Sequence, residues 1–201
     1  LDFESGLPGQ RPPARPGPAH FTYHVSGQAR LEVTGETAAS GKQSLLLADS
    51  PEAVTYDPRI LCNLEVPTGR FELSVELRID PDNPGLLRVE ARDYTRGAEF
   101  VPGASVDILP DGRVVFEDQP RGRLPVGEWV SLRTVFECGP DGEKTYRLAL
   151  RDSDGERTET FAFADPAFEI LTRIVIHQPG RQKGTVCIDN LRLERTDATE
   201  E

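Results

Sequence analysis

From Phe71 to Ile79 the chain alternates without a break. Phe71, Leu73, Val75, Leu77 and Ile79 are apolar; Glu72, Ser74, Glu76 and Arg78 between them are polar. A period of two puts every second side chain on one face of an extended strand, so this stretch has one face for a core and one for water. A parallel sheet buried on both sides would need near-continuous apolar runs instead. Leu87, Val89 and Ala91 repeat the pattern against Arg88, Glu90 and Arg92. Asp111-Gly112, Asp141-Gly142 and Asp154-Gly155 each predict a tight hairpin. The first joins strands at 105–109 and 113–116. The other two tie 129–138, 145–151 and 157–163 into a three-stranded meander.

Further strands are predicted at 20–25, 28–34, 43–48, 59–66 and 171–177, with a short helical turn at 165–170. Residues 7–19 hold five prolines and two glycines and predict an extended surface crossing. About a dozen short strands with Gly, Pro and Asp turns and no long helix read as an all-β fold. Two antiparallel sheets stacked face to face bury the apolar sides. At 201 residues, of which 37% are apolar, one sandwich over 1–194 accounts for the chain, with a flexible tail at 195–201.

The last strand, 184–194, breaks its own phase. Val186 and Ile188 point to one face, and a regular strand would send Leu191 and Leu193 to the other. Both pairs belong in the core, so a β-bulge is predicted at Asp189-Asn190, holding Asp189 at the sheet rim.

A net charge of −11 disfavours nucleic acid, whose binding rests on Lys and Arg neutralising phosphates. No apolar run approaches the roughly 18 residues of a membrane span. An opening Leu in place of Met fits a processed protein that is secreted or held at the cell surface. Cys62, Cys138 and Cys187 match no metal or redox spacing. Cys62 and Cys138 share parity with apolar neighbours and read as small buried hydrophobes, with a Cys62–Cys138 disulfide as the alternative.

Four pieces carry a resemblance: Asp-Phe-Glu-Ser-Gly at 2–6, Ala-Ser-Gly-Lys-Gln-Ser-Leu at 39–45, Gly-Glu-Trp-Val-Ser-Leu at 127–132 and Ile-Asp-Asn-Leu-Arg-Leu at 188–193. With them the chain resembles bacterial jelly-roll domains of the concanavalin A-like lectin/glucanase and carbohydrate-binding-module kind. The resemblance implies a sandwich whose concave sheet binds glycans in some members. It also implies a structural Ca2+ between the two chain ends. Asp2, Glu4 and Asp189 would supply its carboxylates and the loop around Gly41 its carbonyls, matching the oxygen-rich shell that calcium takes.

The outward residues carry the second signal. Arg88, Glu90 and Arg92 lie on one strand, Arg173 and His177 on another, and Glu72, Glu76 and Arg78 on a third. If such strands are neighbours, these rows are either cross-strand ion pairs or a polar groove for a sugar chain. In the groove reading Arg88, Glu90, Arg92, Tyr94, Arg173 and His177 are the ligand-binding residues. An enzyme needs a positioned acid and base. No carboxylate pair with glycosidase spacing is legible. Glu76-Leu77-Arg78 and Ile176-His177-Gln178 resemble two motifs of alginate-lyase jelly rolls, with Gln and His in reversed order and the Tyr-rich motif missing. The sequence therefore favours a non-catalytic extracellular module associated with polysaccharide. A lyase or hydrolase of the same fold, and a structural or adhesion module, are the alternatives.

Overall fold

The computed structural model describes residues 1–14, 19–65, 68–97, 99–116, 118–180 and 182–196. Among the described residues fourteen strands form two sheets. In chain order they are β1 (Ala19–His24), β2 (Arg30–Thr34), β3 (Ser44–Asp49), β4 (Arg59–Leu64), β5 (Gly69–Ile79), β6 (Leu87–Asp93) and β7 (Val101–Ile108). There follow β8 (Arg113–Phe116), β9 (Gln119–Arg123), β10 (Val130–Cys138), β11 (Thr145–Asp152), β12 (Gly155–Ala162), β13 (Arg173–His177) and β14 (Gly184–Thr196). The first sheet runs β1-β4-β13-β6-β7-β8-β9 and the second β12-β11-β10-β5-β14-β3-β2. Their pairings are antiparallel, and the two sheets pack as a jelly-roll sandwich.

Alternation decides which faces meet. Phe71, Leu73, Val75 and Leu77 of β5 and Leu132 and Phe136 of β10 pack against Val89, Ile174 and Ile176 of the first sheet in one apolar cluster. The Phe71 and Phe136 rings lie 6.0 Å apart across the β5–β10 pair. The three Asp-Gly hairpins close where the sequence places them. At 165–170 there is only a turn, closed by the Phe168 N–H donating to the Asp165 carbonyl at 3.0 Å. β14 runs to Thr196 and pairs Arg195 with Phe71, so the ladder takes the first two positions of the expected tail. Positions 197–201 of that tail, like 15–18 of the Pro-rich crossing, lie outside the described residues.

The β14 register shifts between Asp189 and Arg192, with Asn190 in the left-handed region at φ 49°. Val186, Ile188 and Leu191 are consequently all buried in the same core. The bulge is not at a sheet rim as expected: β14 is an interior strand. It sits where β3 stops, since that pairing ends at Ile188 opposite Leu45. The three cysteines are buried free thiols. Cys62 and Cys138 lie in the core cluster without the alternative disulfide. Cys187 points out of the second sheet, where Trp129 covers it with Leu46 and Ala48.

Leu73 is 2% exposed at the centre of this packing. Leu73→Ala should cost roughly 2–5 kcal/mol in urea unfolding, the range for a core cavity that only partly collapses. A loss under about 0.5 kcal/mol, typical of surface changes, would contradict the packing.

Candidate functional site: the outer face of the first sheet

The core side of β4, β13 and β6 takes Ile60, Cys62, Ile174, Ile176, Val89 and Ala91. Their neighbours must therefore face outward, and strand register sorts them into rows. One row reads His24, Arg59, His177, Arg88, Asp107 across β1, β4, β13, β6 and β7. The next reads Thr22, Leu61, Val175, Glu90, Ser105. The third reads His20, Asn63, Arg173, Arg92. The structure thus brings all six sequence candidates onto one face. They differ in what they can offer a ligand.

Three of the four arginines are committed to carboxylates. Arg88 donates both Nε and Nη2 to Asp107, each at 2.5 Å, which is the bidentate fork that fixes guanidinium geometry. Arg92 Nε donates to Glu90 at 2.6 Å, and Arg59 lies 3.5 Å from Asp57. Arg173 instead donates to the neutral Asn63 Oδ1 at 2.6 Å and has no carboxylate partner among the described residues. Its guanidinium lies over the Tyr94 ring at 4.8 Å. Tyr94 in turn packs 5.7 Å from Phe100, and Arg92 lies 4.0 Å from the Phe100 ring centre. Arg173, Tyr94, Phe100 and Arg92 thus form a cluster in which two packed rings are flanked by a guanidinium at each end. The Tyr94 backbone is tied down as well: its N–H donates to Thr172 Oγ1, which donates to the Arg92 carbonyl.

At the other end of these strands the loop before β4 supplies Tyr56. Its backbone is pinned by Gln178 N–H on the Pro58 carbonyl at 3.2 Å and Gly180 N–H on the Thr55 carbonyl at 3.0 Å. Tyr56 is 51% exposed and stands edge-on over His177, with ring centres 5.6 Å apart. His177 beneath it is wholly buried, and neither ring nitrogen has a hydrogen-bond partner among the described residues. Burial, and then the guanidiniums of Arg92, Arg88 and Arg59, push its pKa down to about 3, so the imidazole is neutral at ordinary pH. Glu90 is buried too. Arg173 follows from alternation, whereas Tyr56 comes from a loop that no periodicity connects to β13.

The lyase-like motifs part company here. Glu76 and Arg78 are on β5 in the second sheet, and His177 is on β13 in the first. Glu76 and Arg78 point out of one side of the sandwich and His177 out of the other, while Gln178 is buried and donates to the Leu47 carbonyl at 3.3 Å, so the two motifs do not converge on one substrate.

The chain-end junction forms as the sequence suggests, but its oxygens have taken other partners. Glu4 Oε1 accepts the Lys42 and Gln43 N–H groups, both at 2.8 Å. Asp189 Oδ2 accepts those of Ala39 and Ser40 at 3.1 Å, and Oδ1 that of Asn190 at 2.7 Å. The N-terminal amine binds the Leu191 carbonyl. Phe3, in the left-handed region at φ 58°, is held there by its buried ring. Asp2 is exposed. Among the described residues no group of three or more His, Cys, Asp or Glu is placed to hold a metal ion. These amide hydrogens use part of the accepting capacity of Glu4 and Asp189 and leave their negative charge in place.

No protein-family model matches the chain, and no curated protein matches it in sequence. Solved structures match its fold over nearly its whole length. The cellulose induced protein Cip1 superposes with a TM-score of 0.60 at 14% identity, covering 100% of this chain and 98% of that one. An endo-beta-1,4-glucuronan lyase from the fungus Trichoderma reesei gives 0.61 at 9% identity over 87% and 90%. The PL-14 alginate lyase from Aplysia kurodai gives 0.55 at 7% identity over 83% and 87%. At these identities the likeness shows a shared jelly-roll fold.

Two measurements check this description. Unfolded imidazole takes up a proton near pH 6.5, while His177 in the fold does so only near pH 3. The unfolded state therefore binds more protons through that window. Stability falls as pH drops from 6.5 toward 3, by up to about 1.4 kcal/mol per unit from this group. His177→Gln should flatten that slope relative to the parent; an unchanged slope would mean the ring is accessible and protonates freely. At the junction, Asp189→Ala should lower stability by about 1–3 kcal/mol, because part-buried amides lose their acceptor; if those amides are its whole role, a chelator leaves Tm unchanged. A chelator-induced drop of about 5–10 °C would instead establish a bound Ca2+.

Proposed function

We propose that this chain is a non-catalytic polysaccharide-binding module acting outside the cell, and that it holds an extended glycan against the outer face of the first sheet. The observation that carries the proposal is Arg173. It is braced by Asn63 and Tyr94, carries no carboxylate partner, and sits in a protein whose net charge is −11. A guanidinium so held is prepared to fork onto hydroxyls or a carboxylate of an incoming sugar, and little side-chain freedom remains to be lost. Tyr56 offers a half-exposed ring on the other side of the same face. The rows of Arg173 and His177 are four strand residues apart, about 13 Å, so the two contacts suit an extended ligand better than a compact one. Arg88, Arg92, Glu90 and Asp107 act as the scaffold, since their charges are spent on one another. Acidic sugars fit Arg173 best. That two neighbours of the same fold are described as a glucuronan lyase and an alginate lyase supports a glycan-facing role.

Calorimetric titration with oligouronates and with neutral glucans tests this. Arg173→Ala and Tyr56→Ala should each weaken uronate binding roughly tenfold, the scale of one charge-assisted contact, with Tm nearly unchanged. If no glycan binds, or if both variants bind as the parent does, the face is an ion-pair surface of a structural module.

One observation favours a second reading, a polysaccharide lyase. His177 has two ring nitrogens with no hydrogen-bond partner among the described residues and stands in register with Arg59 and Arg88, guanidiniums that suit a uronate carboxylate; with its pKa pushed down to about 3 the imidazole is a weak base until a bound carboxylate raises it. In that step the imidazole takes the proton and its electron pair becomes a carbon–carbon double bond. The neighbouring C–O bond breaks, its electron pair leaves with the oxygen, and that oxygen takes a proton from water. Tyr56 would have to swing off the ring first. Ultraviolet absorbance of unsaturated ends, appearing with a uronate polymer and lost in His177→Gln, would establish the lyase; its absence leaves the binding module.

A further inference from the structure

The second sheet has an outward surface of its own, on the opposite side of the sandwich. Its residues fall into register rows as well. Ser74, Arg133, Ala149 and Thr158 form one row across β5, β10, β11 and β12; Glu72, Val135, Arg147 and Thr160 form the next. Alternation would ordinarily fill outward positions with long polar side chains. Val135 and Ala149 are short and apolar, and the surface sinks over them. Two depressions of about 230 and 260 Å³ result; Arg70, Val135 and Arg147 line both, so the two lie side by side along one trough. The trough spans four strands, about 14 Å at the usual strand spacing.

The arginines around it are not equivalent. Arg133 is fixed by a fork onto both oxygens of Glu72 at 2.6 Å, which pulls the Glu72 carboxyl below its ordinary range. Arg70 and Arg147 have neither a hydrogen bond nor an ion pair among the described residues. Thr158 and Thr160 add exposed hydroxyls along the β12 side. Glu137, Glu143 and Glu156 stand on the rim. Those carboxylates would repel a dense polyanion such as a nucleic acid, whose charges recur at every unit. They tolerate a chain whose acid groups are spaced among neutral hydroxyls, because each acid group can then sit at a guanidinium.

We propose that this trough is a second saccharide-binding site, independent of the first face. It takes a chain carrying spaced carboxylate or sulfate groups, read by Arg70 and Arg147 through charge-assisted hydrogen bonds. With sites on opposite faces the domain is bivalent, and one straight chain cannot occupy both, so a monomer joins two chains.

The test uses the whole chain, with polygalacturonate as the carboxylated probe, dextran sulfate as the sulfated probe and neutral dextran as control. The net charge of −11 works against indiscriminate polyanion binding, so retention reports local cationic sites. Three variants are compared with the parent: Arg70→Ala/Arg147→Ala, Arg173→Ala/Tyr56→Ala, and all four changes together. The expected result is that the first-face variant still binds at least one charged probe. Adding the trough substitutions then lowers that affinity roughly tenfold or more. Which probe responds separates carboxylate from sulfate. If the fourfold variant binds both charged probes as strongly as the first-face variant does, the second site is overturned, and weaker binding by the first-face variant than by the parent leaves the first-face reading standing. If the trough variant loses all binding and the first-face variant loses none, the trough stands and the first-face reading falls. Neutral dextran bound as well as the charged probes would overturn the anion assignment. Should the double variant fail to fold, Arg147→Gln alone keeps the comparison, because that side chain is exposed and unpaired.

Discussion

The register of β4, β13 and β6 is the constraint on which both the core and the candidate site depend. Ile60, Ile176 and Val89 lie opposite one another on the inner side. Once they are buried together, Arg59, His177 and Arg88 have no choice but to stand in line on the outer side. A slip of one residue in any of these strands would send a guanidinium into the core and an isoleucine into water. Burying an unpaired charge costs far more than one mispaired ladder bond, so the apolar side enforces the arrangement of the polar side. The site is thus a by-product of core packing in its placement, though not in its chemistry.

That chemistry is governed by how the charges share partners. Around the outer rows of β4, β13, β6 and β7, Arg59, Arg88 and Arg92 pair with Asp57, Asp107 and Glu90, and Arg173 is supported by neutral groups alone among the described residues. Exposed ion pairs contribute little to stability. The Arg92–Glu90 pair is largely buried, and taking away one partner there would strand a charge. The face therefore has a rigid interior of mutually satisfied charges and an accessible margin of Tyr56 and Arg173. Ligand contacts belong to the margin. On the second sheet the same division recurs, with Arg133 locked onto Glu72 and Arg70 and Arg147 left over.

Much of this was legible in the sequence because alternation is a local property. Phe71–Ile79 and Leu87–Asp93 declare their inner and outer faces without reference to anything else, and the phase break at Asp189 declares its bulge. What could not be read was long-range. Nothing local says that β13 pairs with β6, some eighty positions earlier in the chain; the rows become a surface only through that pairing. Nor does any pattern indicate that Tyr56 covers His177, since it arrives on a turn. The apparent lyase motifs misled because short motifs carry no sheet assignment, and β5 and β13 belong to different sheets. At the chain ends the convergence of Glu4, the Ser40 loop and Asp189 was readable from the positions of the acids. The amide hydrogens they accept were not, because backbone donors leave no trace in residue identity.

Amide hydrogen exchange, read by mass spectrometry with and without an oligouronate, tests the central claim most directly, since it maps a contact without altering any residue. The account requires added protection in β4, β6 and β13 and in the loops carrying Tyr56 and Phe100, with the chain-end junction unaffected. Protection confined to the chain-end junction, or none anywhere at saturating ligand, would contradict it.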